Sequence, residues 1–115
     1  LNTVTDNVFR DNGRNGIQIE SDSTLNTVSH NDVLNNDASG IDVDGVRQNQ
    51  ITRNLVTGNG TSAETDGGIK VEDGASKNNI DGNAISGNAD ELIDKVRCVS
   101  GTENTGSNVT GTACR

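Results

Sequence analysis

Large apolar side chains are nearly missing from this sequence. Its 115 residues include one phenylalanine and no tryptophan, tyrosine, methionine or proline. A globular core usually gains much of its buried area from such side chains. A core built here must therefore consist of many small aliphatic side chains packed in a regular way. Abundant Asn, Asp, Thr and Gly are also typical of disorder, but β-branched residues at fixed spacing argue against a disordered chain.

Positive charge is also scarce. The formal net charge is −8 at pH 7, so the phosphates of nucleic acid and anionic membrane surfaces would be repelled. No apolar run approaches the length needed to span a bilayer. We therefore expect neither a nucleic-acid partner nor membrane insertion. The acidic balance instead suits calcium, a basic partner or a high-salt environment.

Cysteine and histidine are too few for a zinc site. Cys98 and Cys114, 16 residues apart, are the only cysteines, and His30 is the only histidine. This arrangement matches no zinc motif, so we predict a Cys98–Cys114 disulfide, which contributes roughly 3 kcal/mol for a loop of this size. Disulfides persist in oxidising compartments. The expected location is extracellular or at the cell surface, with the periplasm as an alternative.

What the sequence does contain is a repeat. A glycine followed by an apolar-x-apolar triplet occurs three times, at 16–19, 40–43 and 68–71. Two aliphatic columns and three asparagine columns recur with spacings of 24, 23 and 29 residues. The aliphatic columns are Val4, Val28, Ile51, Ile80 and Phe9, Val33, Val56, Ile85; the asparagine columns are Asn2, Asn26, Asn49, Asn78, then Asn7, Asn31, Asn54, Asn83, then Asn12, Asn36, Asn59, Asn88.

This period predicts a solenoid. Twenty-three or 24 residues hold three short strands and three turns, and coils stacked about 4.8 Å apart bury apolar faces that one coil cannot bury. We expect the asparagines at the corners, with left-handed backbone angles and hydrogen bonds to the next coil. The prediction is an all-β parallel β-helix of about four coils over 1–89 and an irregular C-terminal cap over 90–115. Residues 90–96 fit a short helical turn or an irregular fifth coil.

The repeat resembles a known family. Asn-x-Val/Ile-x-x-Asn, an apolar residue two further on, Asn three after that and then Gly-Ile-x-Val/Ile resemble the right-handed parallel β-helix repeat of the pectin-lyase-like superfamily, over residues 2–89. That superfamily includes polysaccharide lyases, glycoside hydrolases, uronan epimerases, tailspikes and adhesins. The resemblance implies that the Ile-x-Val strand face is a substrate groove. Carboxylates there hold calcium or act on the sugar, and a Lys or Arg serves as base or neutralises charge.

The outward residues of these strands form two columns. Gln18, Asp42 and Lys70 are the candidate glycan groove, and Glu20, Asp44 and Glu72 are the candidate calcium site. Carboxylates about 4.8 Å apart repel by roughly 1 kcal/mol in water and by more in a drier groove, and calcium takes several carboxylate oxygens. The alternative is a solvated sheet face with a Lys70–Asp42 ion pair that contributes less than about 1 kcal/mol.

The third repeat carries an insertion. Residues 60–67 separate Asn59 from Gly68, whereas three residues occupy this place in the first two repeats. The segment is polar and expected to be flexible. Insertions in solenoids often lie on the binding face, and the alternative is a surface loop that the fold tolerates.

Two classes of function fit these features. The first is an extracellular structural module that stacks end to end into a filament or appendage, because the chain opens inside a repeat and either an upstream coil or another copy must cover its first coil. The second is a fragment or small member of a carbohydrate-active family, a lyase, hydrolase or epimerase that binds acidic glycans on the groove.

No catalytic residue is predicted. Tyrosine is missing, and His30 shares a corner column with Asp6, Arg53 and Gly82, so the balance favours the structural class. One glycosylation site is predicted at Asn108, in the sequence Asn-Val-Thr. It is preferred to Asn59, which belongs to an asparagine column.

Overall fold

The computed structural model describes residues 1–89, 95–110 and 114–115. These ranges contain β-strands and turns but no helix, which confirms the all-β class. Residues 90–94, where a helical turn or irregular coil was expected, lie outside the described residues. The strands are β1 (Thr3–Thr5), β2 (Val8–Arg10), β3 (Ile17–Ile19), β4 (Thr27–Ser29), β5 (Asp32–Leu34), β6 (Ile41–Asp44), β7 (Gln50–Thr52), β8 (Leu55–Thr57), β9 (Ile69–Glu72), β10 (Ala75–Ser76), β11 (Asn79–Asp81), β12 (Ala84–Ser86), β13 (Arg97–Cys98) and β14 (Gly101–Thr102).

Corresponding strands of successive coils pair in parallel and form three long sheets. The first sheet has the order β1-β4-β7-β11, the second β2-β5-β8-β12 and the third β3-β6-β9-β13. A short fourth sheet pairs β10 with β14. Every strand thus lies beside the strand one coil away, and the predicted parallel solenoid is confirmed. Because β13 and β14 continue the stack, the division placed at residue 89 is not a break in strand pairing.

The core consists of stacked β-branched side chains. Val28 lies in register with Ile51, and Val33 with Val56. The inward side chains of the middle coils are 0–2% exposed, and each fully buried Val or Ile contributes roughly 1.5–3 kcal/mol. Registered side chains, most of them Val or Ile, stack on one another along the axis. This regularity replaces the large aromatic side chains that the sequence lacks.

Three asparagine ladders run through the corners of the coils. In each step the backbone N–H and the side-chain Nδ2 of one asparagine both donate to Oδ1 of the asparagine in the next coil. Asn31 donates in this way to Asn54 at 3.0 Å for both bonds, while Nδ2 of Asn54 also donates to the Val28 carbonyl at 3.0 Å. Two ladders extend beyond the predicted repeats, because Asn78 donates to Asn104 and Asn83 to Asn108.

The left-handed corner residue is not the asparagine. The expectation that the ladder asparagines take left-handed angles was wrong, because the positive φ belongs to the residue before each ladder asparagine from Asn7 to Asn104. The reason is that the chain turns one residue earlier, which leaves the asparagine free to align its amide along the axis. For the ladder asparagines from Asn7 to Asn104, these φ values lie between 52° and 71°, at Asp6, Asp11, Leu25, His30, Asn35, Gln48, Arg53, Gly58, Lys77, Gly82, Gly87 and Glu103.

A glycine before each third-sheet strand allows close approach of the coils. A Cβ atom on Gly40 would lie 2.5 Å from Cγ1 of Val56 and 2.6 Å from the carbonyl oxygen of Gly68. Gly16 and Gly68 are equally crowded by the next coil. The Gly-Ile step of the repeat is therefore a packing requirement.

The predicted disulfide joins Cys98 to Cys114, with their Cα atoms 5.8 Å apart. The carbonyl of Cys114 accepts hydrogen bonds from N and Nδ2 of Asn104 at 3.0 and 3.1 Å. Cys114 is 1% exposed and belongs to the core. The disulfide thus holds the acceptor that completes the last step of the first ladder.

The basis for preferring Asn108 as a glycosylation site was wrong. Asn108 is 6% exposed and is itself a ladder residue. Its Oδ1 accepts from the N–H of Asn83 at 2.8 Å, and its Nδ2 donates to the carbonyl of Asn83 at 2.9 Å. The side-chain amides of Asn108 and Asn59 are both hydrogen-bonded within a ladder. Glycosylation of Asn108 stays a prediction, but the absence of a ladder role can no longer be given as the reason to prefer it to Asn59.

Breaking one ladder step should be costly. Asn54→Ala removes the oxygen that accepts two hydrogen bonds from Asn31. The buried backbone N–H of Asn31 is then left without an acceptor, so we expect a loss of about 3 kcal/mol in the free energy of unfolding. Urea denaturation measures it. Asn79→Ala is the control, because that side chain bonds to Gln50 on the outer face, and its loss should cost less than about 1 kcal/mol. Equal costs for the two variants would contradict the ladder's role.

The corner conformation predicts opposite effects of one substitution at two sites. Leu25 has φ 59° and is 55% exposed, so Leu25→Gly relieves about 1–2 kcal/mol of left-handed strain against about 0.5–1 kcal/mol of lost chain entropy. The variant should be equal to wild type or up to about 1 kcal/mol more stable. Leu55→Gly, in β8, removes a strand side chain that is 41% exposed and should destabilise. Thermal unfolding of both variants tests this, and destabilisation by Leu25→Gly would refute it.

Candidate functional site

The outer face of the third sheet brings the predicted groove residues together. Gln18 lies in register with Asp42, and Asp42 with Lys70. The next coil adds Arg97, which lies in register with Lys70 and was missed in the sequence. Its signal is the apolar-basic-apolar triplet 96–98, which repeats the Ile-x-Val pattern without the glycine. The four side chains form the groove column: Gln18, Asp42, Lys70 and Arg97.

The insertion at 60–67 is a folded loop beside this column. Oδ2 of Asp66 accepts from the backbone N–H groups of Thr61 and Ser62, both at 3.0 Å. The loop is tied to the preceding coil by Gly67, whose N–H donates to Oγ of Ser39 at 3.1 Å. The loop that was expected to be flexible is thus held by hydrogen bonds at its base and across its turn.

Arg97 connects the loop to the third sheet. Its guanidinium donates to the carbonyl of Ala63 at 2.6 Å and to the carbonyl of Glu64. Because Arg97 neighbours the disulfide residue Cys98, the strand that carries it is covalently anchored. The insertion therefore lies beside the outer face of the third sheet.

The loop and the sheet border an open cleft of about 200 Å³. Within it, Nζ of Lys70 lies 2.8 Å from Oε1 of Glu72, and the two side chains are 16% and 22% exposed. The alternative interpretation predicted an ion pair between Lys70 and Asp42. In the structure Lys70 pairs instead with Glu72, a member of the acidic column. The lining residues are Glu64, Thr65, Lys70, Glu72, Arg97 and Val99.

Asp42 is a buried carboxyl group within the groove column. It is 5% exposed, and its Oδ2 accepts from Nδ2 of Asn15 at 3.0 Å. Its Oδ1 has no hydrogen-bond partner among the described residues. Burial, followed by the charge of Glu72, raises the pKa of Asp42 to about 6. Asn15, which no repeat column marks, was not anticipated as its partner.

The predicted calcium column is divided among other partners. Glu20 accepts from Gln18 at 3.1 Å, and Glu72 pairs with Lys70. Burial and the neighbouring Asp73 carboxylate raise the pKa of Asp44. In the part of the chain that the structure describes, no group of three or more His, Cys, Asp or Glu side chains is arranged to hold a metal. Calcium binding by Glu20, Asp44 and Glu72 stays a prediction.

Other features of the described chain lie away from the groove. His30 is exposed at a corner with φ 55°. A larger cavity of about 500 Å³ lies at the end of the solenoid, lined by Lys77, Glu103, Asn104, Thr105, Gly106 and Arg115. None of the described residues forms a helix long and apolar enough to cross a bilayer.

Comparison with known proteins places this architecture in a family. The sequence profile of the right handed beta helix region matches residues 1–115, so the chain belongs to that family. The right-handed β-helix that its repeat resembled is thereby confirmed. Comparison with curated proteins and with solved structures gave no match.

Asp42 should make stability depend on pH. Its pKa of about 6 in the folded chain lies above the usual 3.8. Between these values the folded state keeps a proton that the unfolded state has lost, so the stability gained from Asp42 is full below about pH 4 and is lost as pH rises through 6. In wild type the free energy of unfolding should therefore fall by up to about 3 kcal/mol as pH rises through 6, and Asp42→Asn should abolish this fall.

Urea denaturation from pH 4 to pH 7 measures the difference between wild type and Asp42→Asn. Asp81→Asn is the control, because hydrogen bonds from Ser107 lower the pKa of Asp81. The stability gained from Asp81 is therefore lost only below this range as pH falls. Parallel pH profiles for wild type and Asp42→Asn would contradict the role assigned to Asp42.

Proposed function

We propose that the chain binds a polysaccharide along the groove column. The observation that carries this proposal is the cleft between the insertion loop and the third sheet, which opens onto a column of polar side chains in register across four coils. An extended polymer lying parallel to the solenoid axis would pass Gln18, Lys70 and Arg97, the members of this column that are not buried, on coils that follow one another about every 4.8 Å. The β-helix family supplies supporting precedent, through the groove that its carbohydrate-active members carry on this face.

The size of the cleft favours one residue of a polymer over a free small molecule. Pockets for small ligands usually measure about 300–1,000 Å³, and this cleft measures about 200 Å³. Its lining combines the hydroxyl of Thr65, the Lys70–Glu72 pair and the apolar Val99, which is 56% exposed. A few polar groups around an apolar surface are typical of ligand sites, where the polar groups fix the orientation of the ligand.

Binding is a better match to this geometry than catalysis. Lys70 already pairs with Glu72 at 2.8 Å, and Asp42 is 5% exposed with one oxygen bonded to Asn15. A general base must reach the proton that it abstracts, and neither group is presented to a ligand in that way. We therefore propose a binding module. End-to-end assembly into a filament stays a prediction, because it depends on what adjoins the first coil.

Affinity gel electrophoresis with soluble polysaccharides tests this function. Wild type should be retarded by at least one polysaccharide, and Lys70→Ala should weaken that retardation at least about tenfold, a loss of about 1.4 kcal/mol. Lys77→Ala is the matched control, since it removes the same charge from an exposed pair with Glu103. Thr65→Ala changes the loop wall without changing charge. If no polysaccharide retards the protein, or if Lys70→Ala and Lys77→Ala weaken the retardation equally, the proposal is wrong.

A further inference from the structure

The charges around the groove constrain the glycan, an inference that rests on the proposed function. Carboxyl groups outnumber cations on this face. The acidic side chains are Glu20, Asp42, Asp44, Glu64 and Glu72, and the basic ones are Lys70 and Arg97. The whole chain carries −8, so its long-range field has the same sign as its local one.

Both cations are already engaged by groups of this chain. Lys70 pairs with Glu72 at 2.8 Å, with both side chains largely shielded from solvent. Arg97 donates to the two loop carbonyls that fix the insertion. A carboxylate on the ligand would share Lys70 with Glu72 and Arg97 with the two loop carbonyls, so it meets a lysine whose charge is already balanced and an arginine that is already held in place.

A ligand carboxylate would also meet the remaining acidic groups. Like charges 4 Å apart cost about 1 kcal/mol in water and about four times as much near a partly desolvated surface. A polyuronate presents such a charge on every sugar, so the cost is repeated along the column. Neutral sugar hydroxyls meet no such cost, and they can donate to the carboxylates that repel an anion.

We propose that the groove takes an uncharged polysaccharide and excludes polyuronates. This assignment departs from the acidic glycans that the resemblance implied, and the departure follows from which partners Lys70 and Arg97 bind. It names the substrate class of the site. The polar column supplies hydrogen bonds to hydroxyl groups, and the acidic flank supplies the discrimination against carboxylated sugars.

The experiment compares carboxylated glycans with their uncharged methyl esters. Affinity electrophoresis is run with several carboxylated polysaccharides, polygalacturonate among them, each beside its own methyl ester, together with neutral polysaccharides. Retardation should be confined to the uncharged members and be insensitive to salt. Any residual binding of a carboxylated glycan should strengthen when about 0.5 M salt screens the repulsion. Tighter binding to carboxylated members would overturn this inference and support the proposed function, whereas no binding to any glycan would overturn both.

Variants separate local charge from net charge. Glu64→Gln alters an exposed loop side chain at the cleft, and it should raise polyuronate binding severalfold and raise the ratio of polyuronate binding to neutral binding. The double variant Asp44→Asn/Glu64→Gln should raise it further. Glu103→Gln makes the same change in net charge at the distant pair with Lys77 and should have little effect. Equal gains from Glu64→Gln and Glu103→Gln, or no gain from either Glu64→Gln or the double variant, would refute exclusion by the groove's own carboxylates.

Discussion

The asparagine amide bond between coils is the constraint on which the remaining structure depends. An asparagine such as Asn54 accepts two hydrogen bonds at Oδ1 from the coil before it, and Nδ2 donates to the next asparagine and to a carbonyl of the earlier coil. These bonds satisfy buried backbone groups at the corners, where the sheet ladders are interrupted. They also set the axial register. With the register set, strands of two to four residues pair along the stack, although short strands gain little from pairing alone.

The fold could be predicted because the residues that hold the coils together recur at fixed positions in the sequence. Asparagine columns and aliphatic columns share one period, and nothing but a stack of parallel coils gives both a use. The left-handed residue could not be found in this way. Leu25, His30 and Arg53 share the corner conformation without sharing chemistry, because the ladder enforces the turn and the residue before the asparagine only has to tolerate it. The left-handed residue is therefore identified by its position before a ladder asparagine and not by its residue type.

The candidate site was predictable in part, and for a related reason. Gln18, Asp42 and Lys70 follow from alternation along strands that the repeat identifies. Arg97 did not, because its coil lacks the glycine that marks the other third-sheet strands and follows residues outside the regular period. The pairing of Lys70 with Glu72 was equally hidden. Several acidic groups lie within reach of Lys70, and side-chain geometry, rather than spacing in sequence, decides which one it meets.

The residues that hold the coils in register are different from the residues on the outer faces of the strands, so the outer residues are available for function. The ladders and the buried columns leave the outer side chains of each strand free to vary, because those side chains contribute little to axial register. The insertion illustrates the point: the third coil is longer, yet Asn49, Asn54 and Asn59 still bond to Asn78, Asn83 and Asn88 in the next coil. The extra residues leave the stack between two fixed corners and return to it. A loop held in this way adds a wall to one face without disturbing the core, and Arg97 then fixes that wall from the following coil.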